Sequence, residues 1–215
     1  MQRRNISNEA AARADGLLIV SVMFITAFTY IALTTSPVYT GIGIDDRAPD
    51  LDGQVWDGTS WSDFSLYDNV DSMWVEGEEG TYYMIEFMDT NCGACQEAAK
   101  DFPAMQDKWL GEDATRSMQA NQSVEFLAVS ISLWDEDTAG KEYGRDQIEE
   151  FRLSNNHDFM YMDDQDDSNK DGWGDFGTPT YFLVAPNGLI KYVNLDAPNG
   201  YTVWAAMDDI IPRGE

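Results

Sequence analysis

Two side chains in this sequence can carry reversible electron chemistry, and they stand close together: Cys92 and Cys95, in the run Thr90-Asn91-Cys92-Gly93-Ala94-Cys95. They are the only cysteines among 215 residues. Two thiols at this spacing can close into a disulfide and reopen, provided one sulfur is held as a thiolate. A helix entrance favours that state, because the N–H groups of its first turn have no intrahelical partner and attract negative charge. Two cysteines cannot supply both a structural disulfide framework and a redox pair. With His157 as the single histidine, they also fall short of a ribbon-type zinc site.

The surrounding sequence supplies the elements that must hold the pair. Residues 81–88 are apolar and aromatic apart from Thr81 and Glu86 and read as a buried strand, and a helix is expected over 92–110 with a kink at Pro103. Residues 123–131 read as a second central strand. A helix follows over 141–155, with Tyr143, Ile148 and Phe151 on its inner side. Residues 159–162 read as an edge strand or extended chain, and 163–175 as a long acidic loop. Residues 180–184 and 189–193 flank Pro186-Asn187-Gly188, a strong hairpin signal. A helix over 201–211 closes the chain, and a hairpin is expected between 48 and 64. The order predicts an α/β fold, a mixed sheet with helices on both faces.

Residues 17–33 carry no charge, and continued to Thr35 the run approaches the roughly 20 residues of a membrane span. Arg3, Arg4 and Arg13 precede it; Asp45 and Asp46 follow, offset only by Arg47. The positive-inside bias gives a cytoplasmic tail (1–16), a transmembrane signal anchor (17–35), a tether (36–47) and an external domain (48–215). A cleaved signal peptide is the competing reading, since Thr34-Thr35-Ser36 offers small residues; the run is longer than a usual signal core and lacks an Ala-x-Ala-like site. Lysine and arginine total 13 against 39 aspartates and glutamates, a net charge of −26. Such a surface repels phosphate backbones, so nucleic acid is excluded as a partner.

Several landmarks together resemble the thioredoxin superfamily and, within it, the membrane-anchored TlpA-like branch. They are Ala48-Pro49-Asp50, the strand–Cys-x-x-Cys–helix unit, Val129-Ser130-Ile131, Gly177-Thr178-Pro179-Thr180 before a strand, and the Pro-Asn-Gly hairpin. The resemblance covers residues 48–211. It implies a thioredoxin-like mixed sheet flanked by helices and an extracytoplasmic thiol–disulfide oxidoreductase. By the same resemblance Cys92 is the exposed nucleophile and Cys95 the resolving thiol. Pro179 is then the cis-proline facing them, and Thr178 offers backbone contacts to an extended substrate. The expected partners are exported proteins with thiols or disulfides and a membrane redox partner, and no cofactor is required.

Glu86 holds the place where thioredoxins keep a buried acid that shuttles the resolving cysteine's proton. Independently of any family, burial without a cation raises a carboxyl pKa and makes it an acid–base group near neutrality. The opposing placement turns Glu86 outward, with Tyr83, Ile85 and Phe87 as the buried set. The sequence also departs from the family's pattern. Gly93-Ala94 lacks the proline usual before the second cysteine, Asn91 replaces an aromatic residue, and Pro103 sits about one turn late. Residues between the cysteines tune the potential, so the direction of electron flow stays open.

Asp167, Asn169, Asp171 and Asp175 match the front of a calcium loop, with Gly172 at the turn, but Thr178 stands where the bidentate Glu belongs. Calcium is therefore the one ion the sequence suggests, against a solvated acidic loop. His157 is expected to be structural. The alternative function is a thioredoxin-fold copper chaperone serving a membrane oxidase, for which two thiolates are a poor specific site. Peroxide reduction lacks its Pro-x-x-x-Thr-x-x-Cys stretch. Trp134 and Trp173 are the two tryptophans expected to edge the cleft.

Overall fold

The computed structural model describes residues 7–34, 38–111, 118, 121–134 and 138–213, with side chains of the first helix described over 15–31. It divides into two compact units, Met1–Val38 and Tyr39–Glu215. In the first, helix α1 spans Ser7–Thr34. Its apolar side chains face outward, with Leu17 at 70% and Phe24 and Phe28 at 74% exposure. Among the described residues no helix is long and apolar enough to cross a membrane. Residues 32–35 of the expected span lie outside the described side chains.

The second unit is built on strand β3 (Gly80–Met88), in which Tyr82 through Met88 are all buried. A strand covered on both faces reads as an unbroken apolar run, and this one does apart from Glu86. It pairs in parallel with β4 (Gln122–Ser130), from Gly80↔Gln122 to Met88↔Ser130. The β1 (Asp52–Trp56) and β2 (Trp61–Ser65) hairpin, β5 (Met160–Asp163), β6 (Thr180–Val184) and β7 (Ile190–Val193) complete a seven-stranded mixed sheet, order β2-β1-β5-β4-β3-β6-β7. The expected β6–β7 hairpin forms, with Gly188 at φ +79° and its N–H donating to Ala185 O at 2.8 Å.

Strand β5 lies inside the sheet, parallel to β4 and antiparallel to β1, rather than at an edge. The β1–β2 hairpin supplies the outer partner that the short sequence run could not reveal. The expected helix over 92–110 is three pieces: α2 (Gly93–Ala98), a 3₁₀ turn (Ala99–Asp101) and α3 (Phe102–Trp109). Pro103 has no N–H to give and falls in the first turn of α3, so the chain re-enters helix there rather than bending through it. Helix α4 begins at Arg145 rather than 141, because Gly144 at φ +128° ends the preceding loop. Residues 39–47, read as a tether, run beside β7: Asp45 N–H donates to Ile190 O (2.8 Å) and Ile190 N–H to Asp46 O (2.9 Å).

One sheet face buries Met84, Met88, Phe126 and Tyr161 beneath α2, α3, α4 (Arg145–Ser154) and α6 (Val203–Ile210). The other buries Tyr83, Ile85, Phe87 and Phe182 beneath Leu51, Leu66, Phe176 and the single-turn helix α5 (Lys170–Trp173). Helices therefore crowd one face, while loops and one helical turn cover the other.

Phe87 centres the second core, its ring 5.2 Å from Trp173, 5.1 Å from Phe176 and 6.0 Å from Phe182. Phe87→Ala should lower the stability of the full chain by about 3–5 kcal/mol. A denaturant titration measures it, as a lower midpoint at unchanged slope.

Candidate active site

Cys92 is the N-cap of α2. Its backbone is extended (φ −80°, ψ 119°), which leaves its Sγ free to accept the Cys95 N–H at 3.3 Å. Cys92 is 7% exposed and Cys95 1%, both as free thiols. Burial acts against the charged form at both sulfurs. At Cys92 it is overcome by hydrogen bonds from the Cys95 side chain, Thr178 and the N–H groups of Cys95 and Ala94, so its pKa is lowered. At Cys95 burial dominates, reinforced by the Cys92 bond, and pushes the thiol up. One sulfur is set up to be a thiolate and the other to keep its proton.

The loop carrying Cys92 is tied down by Asp89, which is fully buried. Its carboxylate accepts three hydrogen bonds: from Asn91 N–H (2.6 Å), Leu133 N–H (2.7 Å) and the Tyr143 hydroxyl (2.8 Å). Its carbonyl accepts Cys92 N–H at 3.0 Å. With this many donors the buried carboxylate anchors two loops at once. Asn91 pairs its amide with the backbone of Glu142 (2.9 and 3.3 Å). Lys141 Nζ donates to Asn91 O and lies 3.8 Å above the Trp134 ring, so Trp134 stands beside the cysteine loop.

Across from the pair the Thr178–Pro179 bond is cis, and the Cys92 thiol is 3.7 Å from Thr178 O. Thr178 Oγ1 is buried with no partner among the described residues. On ionisation of a thiol this hydroxyl can turn its proton toward sulfur, and contact with Thr178 favours the charged form at both cysteines. The structure thus brings Cys92, Cys95, Thr178 and Pro179 together.

Glu86 resolves its two placements in an instructive way. It does sit opposite the Tyr83, Ile85, Phe87 set, on the face of Met84 and Met88, but that face is covered by α2 and α3. It is 3% exposed. Burial raises its pKa to about 8, opposed only by a hydrogen bond from the Tyr181 hydroxyl at 3.0 Å.

The residues of the suggested calcium loop have other engagements in this structure. Residues Lys170–Trp173 wind into a helical turn whose entrance is capped by the buried Asp164 carboxylate, accepting from Asn169 N–H (2.8 Å) and Lys170 N–H (2.9 Å). Asn169 Oδ1 is taken by Asp52 N–H at 2.8 Å, and Asp171 and Asp175 point to solvent. Among the described residues no group of three or more His, Cys, Asp or Glu is arranged to hold a metal. For a metal module with Cys92 and Cys95, His157 brings no third ligand. Its Nε2 faces Ala99 O (2.9 Å) and its Nδ1 the Tyr161 hydroxyl (2.6 Å), deep in the core. Trp173, expected at the cleft, is 1% exposed in the second core and donates to Asp50 O. Asp89, Tyr143 and Tyr181 were missed from sequence; only Asp89 carried a signal, as a turn-forming residue closing a buried strand.

No protein-family model and no curated protein matches the chain. Solved structures do. The thioredoxin domain of a thiol–disulfide oxidoreductase from Bacteroides vulgatus aligns at TM-score 0.53 and 14% identity, covering 80% of this chain and 98% of that one. The chain has the thioredoxin fold. A putative protein disulfide isomerase from Bacteroides thetaiotaomicron aligns at 0.51 and 14% identity, over 81% and 91% of the two chains. A reduced 2-Cys peroxiredoxin from Plasmodium vivax aligns equally well, at 0.51 and 15% identity, over 80% and 96%. Fold likeness alone therefore does not choose the reaction, and the choice falls to the site.

Two measurements check the electrostatics. Alkylation of the reduced chain should modify Cys92 and spare Cys95, with a rate midpoint below the roughly 8.5 of an ordinary thiol; peptide mapping across pH reads both. Glu86 keeps its proton in the fold up to about pH 8 but releases it near its ordinary 4.5 when unfolded. Between those values unfolding releases a proton, so stability should fall as pH rises, by about 1.4 kcal/mol per unit at most. Glu86→Gln should remove that slope, as followed by denaturant titrations from pH 5 to 8.

Proposed function

We propose that this chain is an extracytoplasmic thiol–disulfide oxidoreductase. The observation that carries the reading is the opposed character of two neighbouring sulfurs beside a cis-Pro loop: Cys92 with its pKa lowered, Cys95 buried with its pKa raised. In the reducing direction the Cys92 thiolate attacks a client disulfide, forming a mixed disulfide and releasing one client thiolate. Cys95 then loses its proton and attacks Cys92 Sγ, closing the Cys92–Cys95 bond and releasing the second client thiolate. Two electrons pass to the client, and a membrane redox partner must return them. Glu86 is the group that takes the Cys95 proton. The edge at Thr178 and Pro179 receives extended client backbone.

Placement outside the cytoplasm is supported by the uncharged run over 17–35, its leading arginines and the acidic residues beyond it. Helix α1 keeps the apolar side chains described in that run exposed, as a lipid-facing helix would. We read the run as a single-pass anchor that holds residues 39–215 at the membrane face among exported proteins. No observation in the structure favours the copper-module alternative, given the engagement of both His157 nitrogens.

Cys95→Ala should stall the reaction at the mixed disulfide. Cells producing the full-length variant should yield covalent adducts with client proteins that dissolve on reduction, and Cys92→Ala/Cys95→Ala should yield none. Recovery of no adducts from the single variant would sink the oxidoreductase reading.

A further inference from the structure

Resolution of the mixed disulfide needs a proton acceptor behind Cys95, and Glu86 is sealed from water. Among the described residues its carboxyl has one side-chain partner, Tyr181, which follows the cis-Pro loop on β6 and donates its hydroxyl to Glu86 Oε1. Tyr181 is only half-buried. Its other surroundings form a cavity of about 290 Å³, lined by Ala98 of the cysteine helix, Asp101 of the 3₁₀ turn after it, and Tyr192, Tyr201 and Trp204. The phenol therefore has one side on an open cavity and its hydroxyl on a buried carboxylate.

We propose that Tyr181 is a positioning residue of the resolving step: its hydroxyl favours and orients the carboxylate form of Glu86 that accepts the Cys95 proton, and its ring borders the cavity beside the cysteine segment. The proposal rests on the oxidoreductase reading and deepens it. A carboxylate in an apolar interior is favoured only by donors aimed at it, and a hydroxyl bond to a charged oxygen is among the strong ones. The second phenol near the acid, Tyr161 on β5, has its hydroxyl committed elsewhere. His157 Nε2 faces a carbonyl, which only accepts, so Nε2 carries the proton and Nδ1 accepts from Tyr161. Tyr181 is left as the donor to Glu86.

The charged and titratable groups around this acid are few. Tyr181 feels Glu86, Cys95 and Asp101, and Tyr161 feels Glu86, Arg152 and Cys95. Both phenols are held far above the ordinary tyrosine range by burial first and by these neighbours second, so neither ionises; Tyr181 works as a neutral donor. The step balances without any further reactant. Cys95 gives its proton to Glu86, the new thiolate attacks Cys92 Sγ, and the departing thiolate carries away the electron pair of the broken bond. Glu86 returns its proton by way of the Tyr181 hydroxyl, which takes it up as it gives its own proton to solvent water entering the cavity.

The test uses the reduced full-length chain and a stoichiometric aryl disulfide whose released thiolate is coloured, followed by stopped flow. The first release reports attack by Cys92, and the second reports resolution by Cys95. In Tyr181→Phe the first release should be unchanged. The second should slow about tenfold at neutral pH, with its midpoint shifted up by about one unit, because the carboxylate has lost its donor. The two profiles should converge at high pH, where Glu86 is ionised in both. Phenylalanine keeps the ring that packs 6.4 Å from Phe102, so the fold is retained. On a Glu86→Gln background, Tyr181→Phe should change nothing further. An unshifted midpoint, an equal slowing at every pH, or the same loss on the Gln background would overturn this role alone. A wild-type chain that stops after the first release would overturn the oxidoreductase reading together with it.

Discussion

Strand β3 is the constraint on which the site depends. It is sheltered on both faces, hydrogen-bonded to β4 on one side and β6 on the other, and its residues from Tyr82 to Met88 see no solvent. A strand so placed has two consequences. Whatever polar group it carries is buried by the same packing that stabilises the fold, which is how Glu86 acquires a pKa near neutrality. And the chain leaving its C-terminal end turns at once into the cysteine loop, which Asp89 ties to its neighbours. The apolar core and the acid–base chemistry are therefore one arrangement.

Buried acids serve three different ends in this molecule, and the difference lies in their donors. Asp89 and Asp164 are each surrounded by N–H and O–H groups, which replace water and keep the carboxylate as a fixed anchor. Asp89 joins the cysteine loop to Leu133 and Tyr143, and Asp164 winds the acidic loop into a helical turn. Among the described residues the Glu86 carboxyl has Tyr181 alone as a donor, too little to offset desolvation, and burial raises its pKa to about 8. The count of donors separates the two anchoring carboxylates from Glu86, although all three lie within the same domain.

Much of this was legible in the sequence because the chemistry is local. Cys92 and Cys95 announce themselves by spacing, and β3 by its apolar run. The turn at Gly188 and the proline after Thr178 likewise depend on residues at hand. What the sequence concealed depends on partners far along the chain. Tyr181 lies 95 residues from Glu86, Tyr143 54 from Asp89, and His157 58 from Ala99. Strand β5 is four residues long and owes its interior place to a hairpin a hundred residues earlier in the chain. The acidic loop misled for the opposite reason: its alternating oxygens are real, but Asp164, outside the pattern, claims the backbone that a metal loop would need. Glu86 was read ambiguously because alternation tells which face a side chain takes and says nothing of what covers that face.

The asymmetry between the two sulfurs follows from the same geometry as the fold. Cys92 stands at the N-cap, where the Cys95 N–H reaches its sulfur, and its own N–H is held by the Asp89 carbonyl. Three residues on, helical spacing returns Cys95 to the buried side, over the face that holds Glu86. Moving either cysteine by one position would turn it off that axis and break the pairing of donor-rich and donor-poor environments. The acidic exterior does not disturb this balance, since the groups that set it touch the sulfurs directly and are sheltered from solvent. The reactivity of the pair is thus set inside the fold, and the strongly negative surface is left to govern which partners approach it.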